Sequence, residues 1–255
     1  MLIRMDEETL KLLADLHISN YRQGPGSEET FRKTLDLSDI DTKAALAIAD
    51  IGCGTGSATI PLLQHTKAHV TAVELLPSFL EKLQTDANKA GLNDRLTAVE
   101  ADMADLSFDE ESFDAIWSEG AIYNIGFEKG IKEWRRFLKT NGVLIASEIT
   151  WLRSDIPDEL KSHWEQEYPE IDVASNKIAT LEKNDYSPIG YFTLSPDCWL
   201  DEYYNPIQDN LPSFLEKNQN SEKAIEIVEA EKQEYELYKK YQDYYSYGVY
   251  LARKL

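Results

Sequence analysis

Short apolar runs alternate with longer segments of helical periodicity between residues 44 and 150 of this chain. The first run, 45–50, is apolar up to its last residue, Asp50, as expected of a strand that is buried on both faces. Four further runs of this kind follow, at 69–74, 96–102, 113–118 and 142–147. Segments with helical spacing separate them, at 57–65, 77–90 and 127–138. This alternation predicts an α/β fold with a doubly wound, mostly parallel sheet.

Helical and turn-rich sequence flanks this region on both sides. Before it, a short amphipathic helix is predicted at 6–19, and the turn Gln23-Gly-Pro-Gly-Ser27 leads to a second helix for which Ser27 suits the N-cap position. After it, 155–183 is mostly helical in pattern. Two further strands are predicted at 189–194 and 244–252, with a long helical segment between them.

We therefore expect one domain over residues 1–255, built on a seven-stranded Rossmann-like sheet whose last strand is antiparallel. Three parts are expected within it. They are a helical N-terminal cover over 1–40, a core over 41–150, and a C-terminal part over 151–255 that holds the added helices and the final two strands.

Acidic side chains outnumber basic ones, 46 against 26, so the formal net charge is −20. Such a surface repels polyanions, and we expect neither nucleic acid nor a membrane as a partner. No apolar run approaches the ~20 residues that span a bilayer, and residues 1–8 lack the order of a signal peptide. Cys53 and Cys198 are too few for a disulfide framework. We expect a cytoplasmic protein, either a monomer or a homodimer.

A glycine-rich turn, Asp50-Ile-Gly52-Cys-Gly54-Thr-Gly56-Ser57, follows the first predicted strand. Glycines there let the backbone turn sharply and let a ligand approach more closely than a Cβ would permit. A dinucleotide fingerprint would need a glycine where Ser57 stands, and a phosphate-binding P-loop would need a Gly-Lys-Ser/Thr ending. The turn instead resembles motif I of the class I S-adenosylmethionine-dependent methyltransferases.

Acidic residues at the ends of the next two strands extend this resemblance, which implies that Glu74 holds the ribose of S-adenosylmethionine and that Asp102, with Met103, lies at the adenine. The family branch that includes ubiquinone- and menaquinone-type enzymes is the most similar, and it implies methyl transfer to a small molecule. The resemblance, together with placement at strand ends, yields these expected cofactor-binding residues: Asp50, Gly52, Cys53, Gly54, Gly56, Glu74, Leu75, Asp102, Met103, Ser118, Tyr21 and Gly26.

A sulfonium methyl donor is intrinsically reactive, so the protein mainly has to align the acceptor with it. A general base is needed only when the acceptor must lose a proton. Glu119 and Tyr123 are the expected catalytic residues because they follow the fourth strand, beside the expected methyl position. Further candidates by placement are Glu148, Tyr21 and His17. No metal is expected, because no histidine or cysteine has partners at metal-ligand spacing.

The segment 197–243 is acidic and rich in tyrosine, and it lies outside the predicted core. Tyr235, Tyr238 and Tyr241 stand at helical spacing, which is typical of packing. Tyrosines amid carboxylates also suit a cationic ligand through cation–π attraction, which gives the hypothesis of a cationic or amine acceptor.

Two other functions stay open at this point. One is a non-catalytic subunit that binds S-adenosylmethionine, and the other is a protein methyltransferase on the same fold. A nucleic-acid methyltransferase is disfavoured by the net charge. The stretch Ser118-Glu-Gly-Ala-Ile-Tyr123 also lacks the Asn/Asp-Pro-Pro-Tyr/Phe tetrapeptide of enzymes that methylate base amino groups.

Overall fold

A mixed β-sheet forms the centre of the protein in the computed structural model, which describes residues 6–255. The strands of this described part are β1 (Ala47–Ile51), β2 (His69–Glu74), β3 (Leu96–Glu100), β4 (Phe113–Ser118), β5 (Leu138–Trp151), β6 (Asp172–Val173), β7 (Tyr186–Thr193) and β8 (Tyr245–Lys254). Seven of them follow the order β3-β2-β1-β4-β5-β8-β7, and β6 pairs with β5 off this path.

Strands β3, β2, β1, β4 and β5 pair in parallel, whereas β8 runs antiparallel to both β5 and β7. This confirms the predicted fold class, a doubly wound Rossmann-like sheet whose last strand is antiparallel. The two-residue strand β6 is an addition that the sequence pattern does not reveal. It pairs only with Thr150 and Trp151, at the end of β5.

Helices cover both faces of the sheet. Within residues 6–255 they are α1 (Glu7–His17), α2 (Glu28–Leu37), α3 (Thr59–His65), α4 (Pro77–Lys89), α5 (Phe127–Trp134), α6 (Asp158–Glu167), α7 (Ala174–Lys183), α8 (Pro196–Trp199), α9 (Asn205–Lys217) and α10 (Glu222–Tyr241). The last three, with a π-helical turn at Leu200–Tyr204, form the predicted insertion between the final two strands. None of the helices described is long and apolar enough to cross a lipid bilayer.

Local chemistry accounts for where several helices begin. The Asp6 carboxylate caps α1 by accepting hydrogen bonds from the backbone N–H groups of Glu8 and Thr9. Ser27 caps α2 and forms a reciprocal capping box with Thr30, as its sequence position predicts.

The first five residues of the expected N-terminal cover lie outside the described part of the chain, and so does most of the stretch compared with signal peptides.

The N-terminal helix is held by the insertion rather than by the sheet. Leu16 of α1 packs against Ile207, Leu211 and Phe214 of α9 and against Val228 of α10. All of these side chains are buried. As a result, α1 lies over the edge of the sheet where the parallel strands end, and it forms one wall of the site described next.

Candidate functional site

A cavity of about 460 Å³ opens where the parallel strands β1, β2 and β4 end. This volume is within the usual range for small-molecule sites, and the carboxyl ends of strands are where open α/β sheets bind ligands. Many of the residues expected from the sequence line it together: Gly52, Cys53, Gly54, Glu74, Leu75, Asp102, Met103, Glu119 and Tyr123. Asp50, Gly56, Ser118, Tyr21 and Gly26 do not line it.

Two positions of the glycine turn require glycine, each for a different reason. Gly52 has φ +75°, and a Cβ on it would lie 2.4 Å from Ala121 Cβ, across the cavity wall. Gly56 has φ +97°, and a Cβ there would lie 2.3 Å from Leu83 Cδ1 in the core. Gly52 therefore keeps the cavity open, whereas Gly56 allows the turn to pack on α4.

The Glu74 carboxylate organises this turn from the end of β2. One carboxylate oxygen accepts a hydrogen bond from the Gly54 N–H at 3.1 Å. The other accepts from the N–H groups of Leu75 and Leu76, at 2.8 and 3.0 Å. A carboxylate has about four acceptor positions, so Glu74 still has capacity for a hydroxyl donor in the cavity.

The turn after β3 forms the opposite wall. The Asp102 carboxylate accepts a hydrogen bond from the Ala104 N–H at 2.8 Å. The Met103 carbonyl accepts one from the Trp134 indole N–H at 3.0 Å. These contacts fix a carboxylate and a thioether side by side on the cavity lining.

Two residues expected to touch the ligand support the walls instead. Asp50 is 1% exposed and accepts a hydrogen bond from Thr59 Oγ1 at 2.5 Å, which joins β1 to the start of α3. The Ser118 hydroxyl is buried and donates to the Ile51 carbonyl at 2.9 Å, which joins β4 to β1. Apolar runs at strand ends do not distinguish such supporting roles from ligand contacts.

Burial raises the pKa of the Asp50 carboxyl to about 7, and the nearby carboxylates of Glu119 and Glu74 add to the shift. The folded state therefore holds a proton that the unfolded chain releases above its ordinary pKa of 3.8. The stability that this group contributes is complete below that ordinary pKa and is lost as the pH rises through about 7.

Replacing Asp50 with asparagine removes this titration and leaves an acceptor for Thr59. We expect the free energy of unfolding of D50N, relative to the wild type, to increase from about pH 4 and to level off above about pH 7. Urea unfolding across this range measures the difference. A difference independent of pH would show that Asp50 has an ordinary pKa in the folded protein.

The turn after α1 closes on the cavity through contacts that the sequence did not reveal. Arg22 Nη2 donates to Glu119 Oε2 at 2.5 Å, and Arg22 is buried. The Gln23 side-chain oxygen accepts from both the N–H and the hydroxyl of Thr55, each at 2.9 Å. This turn is therefore fastened to the glycine turn and to the end of β4.

Gly26 and Tyr21 belong to the same turn but have other positions. A Cβ on Gly26 would overlap the Arg22 guanidinium, so this glycine makes room for the arginine. Its N–H donates to the Cys198 carbonyl at 3.3 Å. The Tyr21 side chain is 67% exposed and lies away from the cavity lining.

The geometry gives the two expected catalytic residues distinct properties. Glu119 accepts from Arg22 and, through its other oxygen, from the Trp117 indole N–H at 2.8 Å, so it anchors the cover more readily than it removes a proton. Burial, with a contribution from Glu234, raises the pKa of Tyr123 to about 12, so its hydroxyl remains a donor at neutral pH.

The other candidate bases are separated by the fold. Glu148 is fully buried and paired with Lys177 at 3.0 Å, away from the cavity lining. His17 lines the cavity and lies 3.5 Å from Glu231. Among the residues from 6 onwards, no group of three or more histidine, cysteine or acidic side chains is arranged to hold a metal ion.

Comparison with known proteins finds methyltransferases among the similar sequences and structures. Residues 48–142 match the family model of a methyltransferase domain. A sterol 24-C-methyltransferase of Gibberella zeae is 31% identical over 150 residues, which are 58% of this chain and 38% of that protein. A ubiquinone/menaquinone biosynthesis C-methyltransferase of Brucella abortus is 30% identical over 142 residues, 54% of this chain and 51% of that protein. The chain thus covers about half or less of these relatives.

Solved structures match over the full length. A methyltransferase from Geobacter sulfurreducens, in complex with S-adenosyl-L-homocysteine, superposes with a TM-score of 0.83 over 100% of both chains, at 17% identity. At this identity the match establishes the fold. Residues 48–142 thus match a methyltransferase domain, and the chain has the fold of the class I S-adenosylmethionine-dependent methyltransferases and resembles the quinone methyltransferases among them.

Proposed function

We propose that the protein transfers the methyl group of S-adenosylmethionine to a small-molecule acceptor by in-line displacement. One observation carries the proposal: the glycine turn, Glu74 and the Asp102–Met103 pair line one cavity, beside Gly120 and Tyr123. Relatives named for sterols and for quinones support a small-molecule acceptor.

The residues present fit this donor. Gly52 leaves space at the turn that a Cβ would fill, which suits the homocysteine portion. Glu74 retains acceptor capacity for ribose hydroxyls, and Leu75 lines the cavity next to it. Asp102 and Met103 suit the adenine, one as an acceptor for its amino group and the other as an apolar, polarizable contact. When bound, the donor supplies an electrophilic methyl group on a sulfonium.

The chain's own residues would orient the acceptor and exclude water. Carboxylates at the cavity attract a cationic donor. The Arg22–Glu119 ion pair and the Gln23–Thr55 hydrogen bonds hold the cover closed over it. The Tyr123 hydroxyl, kept protonated, serves as a hydrogen-bond donor that positions the acceptor. Neither it nor Glu119 is needed as a base for an acceptor that attacks in its neutral form.

We further propose that residues 1–255 form one domain. We also propose that the protein is cytoplasmic and is a monomer or a homodimer. Support for a single domain comes from β8, which ends at Lys254 and pairs with β5 along nine register positions from Val143 to Trp151. The C-terminal helices are thereby tied to the donor-binding core.

Ligand binding and product release test this function separately. S-adenosylmethionine at a hundred times its Kd is expected to raise the free energy of unfolding by about 2.7 kcal/mol, whereas NAD, whose glycine fingerprint is absent, should have no effect. Incubation with metabolite fractions should then release S-adenosylhomocysteine. Donor binding without product from any acceptor would indicate a non-catalytic subunit, and product only from protein fractions would indicate a protein methyltransferase. Lack of donor binding would refute the proposal.

A further inference from the structure

A second cavity, of about 870 Å³, lies between α6 and α10 and shares Tyr123 with the first. Its volume suits an organic molecule with an extended body. Five aromatic side chains line it: Tyr123, Trp164, Tyr168, Trp199 and Tyr247. Four glutamates also line it: Glu159, Glu167, Glu234 and Glu236.

The two cavities meet along a narrow set of residues. A Cβ on Gly120, which lines the first cavity, would lie 3.2 Å from the Tyr247 ring, which lines the second. Tyr123 lines both. The two cavities are therefore neighbours at Gly120, Tyr123 and Tyr247, where the end of β4 adjoins the proposed donor site.

The charge of the second cavity is only partly neutralised. Lys240 pairs with Glu159 at 2.5 Å, and Lys239 pairs with Glu236 at 3.0 Å. Within residues 6–255, no lysine or arginine lies within ion-pair distance of Glu167 or Glu234. The one histidine on this lining, His163, has its pKa lowered by burial, so it adds no positive charge at neutral pH.

Glu234 is the carboxylate best placed to meet a ligand. It accepts a hydrogen bond from the Tyr204 hydroxyl at 2.7 Å, and its side chain is exposed where it faces the cavity. Burial raises its pKa, and Glu231 and Glu167 raise it further. Glu234 in turn raises the pKa of Tyr123 and Tyr247, which places it near the junction.

We propose that this second cavity binds the methyl acceptor, and that the acceptor is an organic amine with an apolar body and no carboxylate or phosphate. Aromatic faces attract ammonium groups, and unpaired carboxylates beside them strengthen the attraction. The same carboxylates repel anionic acceptors. The inference rests on the proposed function, since it assigns the acceptor for that donor site.

The chemistry of such a transfer balances within these groups. The bound ammonium gives one proton to the Glu234 carboxylate, whose raised pKa suits it to accept. The freed nitrogen lone pair forms the new N–C bond to the methyl carbon. The C–S bond breaks and its electron pair stays on sulfur, so S-adenosylhomocysteine and a methylated ammonium ion are the products.

The preference for an amine is tested by measuring the binding of three matched probes. Calorimetry with S-adenosylhomocysteine present gives their affinities. The probes are 2-phenylethylamine, its neutral isostere 2-phenylethanol, and phenylalanine, which adds a carboxylate to the amine. We expect the amine to bind about tenfold more tightly than the alcohol, and phenylalanine to bind no more tightly than the alcohol. Equal affinity for the amine and the alcohol, or no binding of any probe, would overturn the inference.

Charge-removing variants locate the effect. E234Q keeps an acceptor for Tyr204, and both it and E167Q should reduce the amine preference. E229Q is the matched control, because Glu229 is exposed on the same helix and does not line the cavity. If E234Q and E167Q retain the amine preference as fully as E229Q does, the assignment is refuted.

The outcome for the donor separates this inference from the proposed function. Wild-type protein that fails to bind S-adenosylmethionine would refute the proposed function itself. Protein that binds the donor and releases S-adenosylhomocysteine with phenols or quinols, but not with amines of similar body, would refute only the amine assignment. Release with amines and not with phenols is the result we expect.

Discussion

Alanine at position 52 is expected to weaken S-adenosylmethionine binding by about a hundredfold. The backbone of Gly52 has φ +75°, a conformation that costs a residue with a Cβ of order 1 kcal/mol or more. The added Cβ would also lie 2.4 Å from Ala121 Cβ and 3.1 Å from Met103 Cε, and both neighbours line the donor cavity. The turn must therefore shift, and the walls that define the cavity shift with it.

The effect of backbone conformation alone is measured by Gly91→Ala. Gly91 has φ +70°, follows α4, and has no atom within 4 Å of the position that a Cβ would take. G91A should lose stability to a similar extent through strain, but it should retain wild-type donor affinity. Calorimetric titration and urea unfolding of both variants give the comparison. Donor affinity in G52A equal to that in G91A would show that the space at Gly52 is not part of the donor site.

The sequence predicted the strands best where a short run is bounded by turns. The bounds of β2 and β4 agree with the prediction residue for residue. β5 is longer than predicted, at Leu138–Trp151, and at its C-terminal end the polar residues Glu148 and Thr150 are buried in it. Hydropathy marks such residues as a strand end, since their partners come from distant parts of the chain.

The same limit applies to the candidate site. Residues on the glycine turn and at strand ends were predicted because their spacing along the chain reflects one edge of the sheet. Arg22 is 97 positions from its partner Glu119, and Gln23 is 32 positions from Thr55. No local pattern signals these pairs, because they depend on how α1 packs on the C-terminal helices. The second cavity depends on the same packing, and the segment 197–243 contributes Glu234 and Glu236 but no tyrosine to its lining.

None of the tyrosines of that segment lines the second cavity. Tyr238 is fully buried and stacks on Trp199 with ring centroids 4.6 Å apart, and Tyr241 is buried as well. Their helical spacing therefore reflects packing, as the sequence indicated. The aromatic lining of the second cavity comes instead from residues scattered along the chain, such as Trp164 and Tyr247.

Replacing Lys177 with methionine is expected to lower the free energy of unfolding by about 3–5 kcal/mol at pH 8. Lys177 and Glu148 form an ion pair whose side chains are 5% and 0% exposed, so the variant leaves an unpaired carboxylate in the core. The lysine ammonium also lies 4.8 Å from the Phe127 ring centroid and 5.5 Å from that of Tyr168, a residue that lines the second cavity. The loss should therefore reach the proposed acceptor site as well as the fold.

Acid conditions and a second substitution separate loss of the ion pair from loss of packing. Burial raises the pKa of Glu148 to about 7 although Lys177 opposes the shift, so without the lysine the pKa rises further. The folded variant then holds Glu148 protonated, and its loss of stability should be smaller at pH 5 than at pH 8.

The double variant K177M/E148Q should recover most of the stability at pH 8. K161M, which breaks an exposed pair with Glu165, should change it by no more than about 0.5 kcal/mol. A K177M penalty that is equal at both pH values would mean that packing of the lysine stem, rather than its charge, stabilises this part of the core.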